Sequence, residues 1–155
     1  MSSAEITFRT EHPGTESGVL LRRVYWAEVT AACGLPGGEP PAGDEHDLVA
    51  PRGTFVVASR AGEDLGCVGV RLLAGGDAEV KRLWVSPAAR GLRLGTRLLE
   101  VAEEWARAQG ATRLCLDTRR ELAAAVTLYA RVGYVEVEPY NENADADLWF
   151  AKPLV

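Results

Sequence analysis

The 155-residue sequence is poor in the residues that build metal sites and disulfide frameworks. It contains three cysteines (Cys33, Cys67 and Cys115) and two histidines (His12 and His46). The cysteines are widely spaced and odd in number, and no Cys–His pattern has the spacing of a zinc ligand set. Cys67 and Cys115 lie in apolar runs, which is typical of buried reduced thiols. We therefore expect no metal and no disulfide scaffold, and we predict a cytoplasmic protein.

Two further absences limit the classes of partner. No apolar run reaches membrane-spanning length, and the N-terminal stretch MSSAEITFRTEHPG lacks the apolar centre of a signal peptide. The net charge is −5 and the pI is about 5.1, whereas nucleic-acid binding needs a broad basic surface. The sequence thus predicts one globular domain over residues 1–155 with neither a membrane nor a nucleic acid as partner.

Positive charge is concentrated in one short window of this acidic chain. Five basic residues and no acidic residue lie between Val80 and Leu99, so the window is +5 and the rest of the chain sums to −10. Residues 79–85 read as a strand, and an apolar stripe from Leu94 to Ala106 predicts a helix that ends near Gly110. A first helical turn normally attracts carboxylates. Here it has none, which predicts a binding place for an external anion such as phosphate.

The residues of this window also resemble a family signature. LWVSPAARGLRLGTRLL (residues 83–99) resembles the acetyl-CoA-binding motif Q/R-x-x-G-x-G/A of the GCN5-related N-acetyltransferases, with Arg93 in place of the middle glycine. AAAVTLYARVGY (residues 123–134) resembles a second segment of that family, A-x-x-L-Y-x-x-x-G-F/Y. The resemblance covers residues 55–154 and implies an enzyme that uses acetyl-CoA as cosubstrate.

The resemblance assigns cofactor-binding roles to two stretches. Backbone N–H groups of the loop and helix start would cradle the pyrophosphate, with Gly91 and Gly95 letting the ligand come close: Arg90, Gly91, Leu92, Arg93, Leu94, Gly95 and Thr96. Leu83, Trp84 and Val85 would hold the pantetheine arm through backbone hydrogen bonds, as an added strand does. The alternatives are a solvated basic turn and an ordinary core strand. We expect a negative φ at Arg93, with its side chain directed outward to a phosphate of CoA.

Catalytic roles follow from the same resemblance. Tyr129 lies where the family often has the acid that protonates the leaving thiolate, and Glu79 lies where several members place a general base. Asp117 and water are rival bases. The alternatives are a core aromatic for Tyr129 and an exposed strand-end charge for Glu79. Leu122 stands where the family frequently has Asn.

Pattern and resemblance together predict an α+β fold with a mixed, mainly antiparallel sheet of six to seven strands and about four helices. The predicted strands are residues 5–9, 54–59, 67–74, 79–85, 112–117, 134–138 and 148–151, with a hairpin turn at 62–64, and the helices are 19–33, 44–50, 94–109 and 122–132.

The predicted reaction is acetyl transfer from acetyl-CoA to a primary amine of a small molecule or peptide, by direct attack in a ternary complex. The alternative is a non-catalytic acyl-CoA-binding sensor or scaffold. The acidic balance outside the basic window favours cationic acceptors such as polyamines or aminoglycosides. Asn141 and Asn143 either bind this acceptor or make a turn, and the turn is favoured. The sequence leaves open whether the protein is a monomer or a homodimer.

Overall fold

The computed structural model describes residues 5–41, 43 and 45–154. The strands are β1 (Thr7–Thr10), β2 (Gly53–Arg60), β3 (Glu63–Leu72), β4 (Asp77–Val85), β5 (Arg113–Thr118), β6 (Val135–Glu136) and β7 (Leu148–Pro153). The helices are α1 (Glu16–Cys33), α2 (Leu94–Ala108) and α3 (Ala123–Arg131), with a short 3₁₀ turn at Pro87–Ala89.

All seven of these strands form one sheet in the order β1-β2-β3-β4-β5-β7-β6. Every neighbouring pair is antiparallel except β4 and β5, which are parallel and are joined through α2. The predicted α+β class with a mixed, mainly antiparallel sheet is confirmed. The described residues contain three α-helices rather than about four, because residues 45–50 form turns where a short helix was predicted. Residue 44 of that prediction lies outside the described residues.

Local signals account for most element boundaries. α1 begins at Glu16, three residues before its predicted start, because the Thr15 side chain caps the helix by accepting a hydrogen bond from the Gly18 N–H. The hairpin turn lies at Ala61 and Gly62 instead of residues 62–64. Both have left-handed backbone, with φ of 53° and 81°, as a two-residue hairpin turn requires. β3 consequently begins earlier than predicted.

The sheet is covered on both faces by apolar side chains. On one face α2 packs through Leu94, Leu98, Ala102 and Ala106, so the predicted apolar stripe is confirmed. On the other face a smaller cluster joins α1 to the sheet and contains Leu21, Leu48, Phe55, Val57, Cys67 and Trp84. Among the residues described, no helix is both long and apolar enough to cross a membrane.

The two central strands separate along their length. β4 and β5 are paired only from Asp77–Glu79 to Arg113–Cys115, although β4 continues to Val85 and β5 to Thr118. A register shift against β3 and a φ of +55° at Arg82 show a bulge in the second half of β4. Beyond Glu79 the β5-facing edge of β4 is therefore open, and this opening positions the candidate site.

Candidate active site

A cavity of about 350 Å³ lies at the opening between β4 and β5. α1 and the segment after it form one wall, the second half of β4 and the end of β5 form the floor, and α3 closes the opposite side. Several residues with chemistry line it, among them Lys81, Asp117 and Tyr129. The cavity therefore joins strand positions that the resemblance marked for cofactor with positions that it marked for catalysis.

The start of α2 lies at the end of β4, after the 3₁₀ turn. Arg93, the N-cap residue just before the helix, makes no side-chain capping hydrogen bond, and the first turn of α2 contains no acidic residue. The N–H groups of a first helical turn have no acceptor within their own helix. The helix start is thus an arrangement of backbone donors suited to an anion, as the charge pattern predicted.

The backbone at Arg93 contradicts the sequence-based expectation of a negative φ. Its φ is +55° and its ψ is 30°, which is left-handed. The chain turns from the 3₁₀ turn into α2 within four residues, and two left-handed residues make that turn, Gly91 with φ of 83° and Arg93. Glycine fits such a backbone without strain, whereas arginine costs about 1–2 kcal/mol.

The two glycines of the loop differ in what surrounds them. A Cβ on Gly95 would lie 2.7 Å from Cδ2 of Leu128 in α3, so the absence of a side chain lets α2 and α3 approach. A Cβ on Gly91 would meet no atom within 4 Å. The interpretation that Gly95 serves ligand approach therefore has a competing structural reason, which is the packing of the two helices.

The five basic residues of the window do not act as one group. Arg97 lies over the ring of Phe8, with 4.9 Å between its guanidinium carbon and the ring centroid. Lys81 and Arg82 line the cavity. Only Arg90 and Arg93 are exposed beside the helix start, and their side chains make no ion pair within the described part of the chain. The cradle thus has two arginines beside it rather than five basic residues.

The strand segment predicted to hold pantetheine has its backbone at the open edge. Leu83 lines the cavity. Trp84 and Val85 pair with Cys67 and Gly66 of β3 on their other side. The Trp84 side chain points to the α1 face, where its Nε1 donates to Glu28 Oε2 at 2.8 Å. Leu83 and Val85 pack at the margin of the α2-side core.

Tyr129 is a buried residue of α3 whose side chain also lines the cavity. Its ring packs against the rings of Tyr134 and Phe150, both at 6.0 Å between centroids. Burial raises the pKa of Tyr129, so the phenol keeps its proton throughout the neutral range. The side chain is therefore a core aromatic that carries a protonated hydroxyl and also lines the cavity, and its role as an acid stays a prediction.

Glu79 is the centre of a buried polar cluster and is not an exposed strand-end charge. Its side chain is 1% exposed. Arg71 Nε donates to its Oε1 at 2.8 Å, and the Tyr140 hydroxyl donates to its Oε2 at 2.5 Å. Arg71 is the residue directly opposite Glu79 on β3. Both carboxylate oxygens thus already accept hydrogen bonds from neighbouring side chains.

Asp117 is connected to Glu79 through one amide. Asn141 Nδ2 donates to Asp117 Oδ2 at 2.7 Å and lies 3.5 Å from Glu79 Oε2. Trp149 Nε1 in turn donates to Asn141 Oδ1 at 2.9 Å, which fixes the orientation of the amide. Asp117 is partly exposed and lines the cavity, whereas Glu79 contacts the cavity only through its neighbours.

The connection between β6 and β7 supplies two members of this cluster. Asn141 and Asn143 make the predicted turn, since each side-chain oxygen accepts a backbone N–H two residues ahead. Asn141 also donates to Asp117, and Asn143 lines the cavity, while binding of the acceptor by either residue stays a prediction. Tyr140 was missed. Its only sequence signal was its place in the polar segment 139–147, which also contains Asn141 and Asn143.

Burial governs the ionisation of the other groups around Glu79. Burial and then the hydrogen bond to Glu79 raise the pKa of Tyr140. Burial also raises the pKa of the Cys115 thiol to about 11, although a hydrogen bond with Tyr140 acts in the opposite direction. Both groups are therefore neutral at physiological pH. Within the described residues no group of three or more His, Cys, Asp or Glu side chains is arranged to hold a metal ion.

Comparison with known proteins agrees with this geometry. The family model described as Acetyltransferase (GNAT) family matches residues 21–134. The chain belongs to the GNAT acetyltransferase family. The predicted family and the predicted enzyme class, an acetyl-CoA-dependent N-acetyltransferase, are thereby confirmed.

One curated relative and two solved structures illustrate the similarity. The chain is 38% identical over 114 residues to the "IAA acetyltransferase" of Azospirillum brasilense, covering 72% of this chain and 74% of that protein. It superposes on a GNAT-family acetyltransferase of Staphylococcus aureus Mu50 with a TM-score of 0.81 and 15% identity, covering 97% of this chain and 100% of that one. It superposes on the PaiA N-acetyltransferase of Thermoplasma acidophilum, solved in complex with coenzyme A, with a TM-score of 0.74 and 18% identity, covering 96% and 99%. These two structures show the shared fold.

Proposed function

We propose that this acetyltransferase transfers the acetyl group of acetyl-CoA to a primary amine of a small molecule or peptide, by direct attack in a ternary complex. The observation that carries the proposal is one shared cavity. Asp117 and Tyr129 both line it, and the open edge of β4 and the uncapped start of α2 lie next to it. A proton acceptor and a proton donor therefore meet beside a strand edge that suits an extended ligand.

The described residues fit coenzyme A in two respects. The uncapped first turn of α2 offers N–H donors to the pyrophosphate, with Arg90 and Arg93 beside it. The open β4 edge around Leu83 offers backbone groups to the amides of pantetheine, as an exposed strand does for an added one. When bound, acetyl-CoA supplies the thioester carbonyl that an amine attacks.

We assign the role of general base to Asp117 rather than to Glu79. Both oxygens of Glu79 accept hydrogen bonds, from Arg71 and from Tyr140, and the residue is not itself at the cavity. Asp117 has a hydrogen bond only at Oδ2, among the described residues, and it reaches the cavity. Glu79 is then a positioning residue that holds Asn141 and, through it, Asp117.

Tyr129 is the general acid of this proposal. The acceptor ammonium first gives its proton to Asp117, and the neutral amine attacks the carbonyl carbon, so that the C–N bond forms and the C–S bond breaks. Tyr129 then donates its proton to the departing sulfur, and the second proton that the nitrogen loses on becoming an amide restores the phenol. The products are the amide, the free CoA thiol and one proton, which Asp117 passes to solvent. Because burial raises the pKa of Tyr129, the phenol is protonated at neutral pH before each turnover. A thiolate formed in the same apolar surroundings is also a stronger base than in water.

Steady-state kinetics test the proposal. Release of free CoA thiol is measured while acetyl-CoA and one amine from a mixed panel are varied together. Direct attack in a ternary complex predicts intersecting double-reciprocal lines. Parallel lines, or an acetylated enzyme isolated in the absence of amine, would indicate a covalent intermediate instead. CoA binding without turnover by any amine would favour the acyl-CoA sensor.

Cytoplasmic location and a homodimer stay predictions, although three free cysteines fit a reducing compartment.

A further inference from the structure

Among the described residues, the cavity between β4 and β5 is lined by more cations than anions. The described lining residues include five basic ones, Arg22, Arg71, Lys81, Arg82 and Arg119, and two acidic ones, Asp117 and Asp145. This distribution is the reverse of the chain as a whole, which carries a net charge of −5. The expectation of a cationic acceptor was based on that overall charge, whereas the charge of the cavity lining does not favour a simple cation.

Most of these cations are already bound by carboxylates of the protein. Arg22 Nη1 lies 2.8 Å from Glu45 Oε1, and Arg82 Nη2 lies 3.5 Å from the same oxygen. Arg71 bonds to both Glu79 and Asp47. Arg119 Nη2 donates to Glu121 Oε2 at 2.8 Å. These arginines shape the cavity, but their charges are largely compensated.

Lys81 differs from them. Its Nζ lies 4.0 Å from Glu79 Oε1, at the limit of an ion pair, and makes no hydrogen bond within the described part of the chain. That Glu79 oxygen is already bonded by Arg71 at 2.8 Å. The Lys81 side chain is 24% exposed and lines the cavity. It therefore presents an ammonium with three donors and partial desolvation, which is where an anion gains most.

The surrounding wall adds a second requirement. Tyr25, Trp26 and Val29 of α1 and Leu35 after it also line the cavity. These side chains suit an apolar or aromatic body, while Lys81 suits an anion and Asp117 an amine. A ligand that fits all three is a small molecule with an apolar body, an amine and an acidic group.

From this geometry we infer that the acceptor is an amine that also carries a carboxylate, and that Lys81 is the residue that selects it. The inference rests on the proposed acetyl transfer and names the substrate class of the same site. The acceptor amine faces Asp117, and its carboxylate pairs with the Lys81 ammonium. Simple polyamines then lack the anionic partner that Lys81 requires.

Matched acceptors test this inference. The probes are phenylalanine, phenylalaninamide and phenethylamine, with leucine and leucinamide as an aliphatic pair, assayed by CoA thiol release from acetyl-CoA. We expect kcat/KM of the carboxylate-bearing member of each pair to exceed that of its amide by about tenfold or more, a preference that weakens as salt rises. In Lys81→Gln, we expect KM for the carboxylate-bearing member to rise about tenfold. The kcat and KM values for the amide are expected to stay within about twofold of the parent values.

Two control variants make the comparison specific. Lys81→Arg keeps the charge and is expected to retain most of the preference. Arg60→Gln removes one positive charge at the far end of β2, and it is expected to leave the preference unchanged. An amide used as well as its acid by the parent enzyme would overturn the inference, as would an equal loss for acid and amide in Lys81→Gln.

A binding measurement tests the carboxylate preference of the acceptor separately from the proposed acetyl transfer. Calorimetry of CoA-loaded protein with N-acetylphenylalanine and N-acetylphenylalaninamide does not depend on turnover. Tighter binding of the acid that is lost in Lys81→Gln supports the inference even where no thiol is released, and the proposed reaction then fails alone. Turnover without any acid preference leaves acetyl transfer standing and overturns the inference. Absence of binding by both N-acetyl compounds, together with turnover of neither acid, also overturns it.

Discussion

The proposed cofactor cradle and the polar cluster around Glu79 are built in opposite ways. The cradle consists of residues 90–96, which are contiguous in sequence and mostly exposed. The polar cluster consists of Glu79, Asp117, Tyr140 and Asn141, and its central bond joins residues that are 61 positions apart. The cradle offers backbone N–H groups, whereas the cluster works through side chains whose orientation depends on several strands. Binding and catalysis are therefore expected to respond independently to substitutions.

The largest expected effect lies in the polar cluster. Asp117→Asn removes the proposed base but keeps the shape of the side chain, so kcat is expected to fall about 10²–10⁴-fold. The dissociation constant of CoA, measured by calorimetry, should stay within about twofold because the cradle is untouched. Glu79→Gln serves as the comparison and is expected to lower kcat less. A greater loss in Glu79→Gln than in Asp117→Asn would return the role of base to Glu79.

The next largest effect is expected from Tyr129→Phe. It removes one hydroxyl from a ring that is packed against Tyr134 and Phe150, so the fold should persist. We expect kcat to fall about 10–10³-fold as the leaving thiolate loses its proton donor. Tyr134→Phe, on the same apolar cluster, is the control for the loss of a buried hydroxyl away from the cavity; it also removes the hydrogen bond from Tyr134 to Glu103, so it is expected to lower stability and to leave kcat within about twofold. An unchanged kcat in Tyr129→Phe at saturating substrates would leave this residue with a packing role only.

Alkaline pH should weaken the folded state through the buried thiols. Burial raises the pKa of Cys115 to about 11 and that of Cys67 to about 12, while an unfolded thiol ionises near 8.5. Because the thiol pKa is higher in the folded state than in the unfolded state, the stability that the neutral buried thiol contributes is complete below the unfolded pKa. It is lost as pH rises from the unfolded pKa toward the folded pKa. Each thiol contributes a decline of up to about 1.4 kcal/mol per pH unit from about pH 8.5. Urea unfolding at several pH values measures the slope.

The variant Cys115→Ala sharpens that measurement. It should remove the contribution of one thiol and so reduce the alkaline slope, whereas Cys33→Ala, at a partly exposed thiol of α1, should change it less. The arginines of the cradle do not lose their protons in this range. A slope that is identical in the parent and in Cys115→Ala would show that the thiol is solvated and not buried.

A smaller effect distinguishes the two explanations of Gly95. Its absent Cβ would meet Leu128 Cδ2 at 2.7 Å, at the end of a flexible side chain. Because that methyl group can move and alanine favours a helix over glycine, Gly95→Ala is expected to lower the free energy of unfolding by only about 1 kcal/mol or less. In a Leu128→Ala background the same substitution should cost much less. Loss of CoA affinity with unchanged unfolding energy in both backgrounds would instead support a role in ligand approach.

The smallest effect is expected at Arg93. Arg93→Gly relieves a left-handed backbone but gives the unfolded chain more freedom, so the free energy of unfolding should change by less than about 1 kcal/mol. If the guanidinium contacts a phosphate, CoA affinity falls severalfold at low salt and its salt dependence becomes weaker. Arg93→Asn, which also tolerates this backbone, should behave alike. Parent-like CoA affinity in both variants would leave Arg93 as a surface charge.

Those predictions reflect how differently the two regions could be read from the sequence. The strand, the loop and the apolar stripe of α2 were predictable, because the signals for a strand end, a helix start and a helix face all lie within residues 79–110. The backbone angle at Arg93 was predicted wrongly, because it depends on how the chain turns between a 3₁₀ turn and α2. Glu79 was recognised as a candidate, but its burial was not.

The sequence by itself determined most of the elements, because helical periodicity and backbone hydrogen bonding within a helix or turn are properties of neighbouring residues, and two contiguous motifs indicated the family. Only the tertiary structure decided which side chains surround Glu79. Sheet register places Arg71 opposite it, and the β6–β7 connection brings Tyr140 and Asn141 back over β4 and β5. These partners come from distant segments, and packing of the whole sheet is what sets the distances between them.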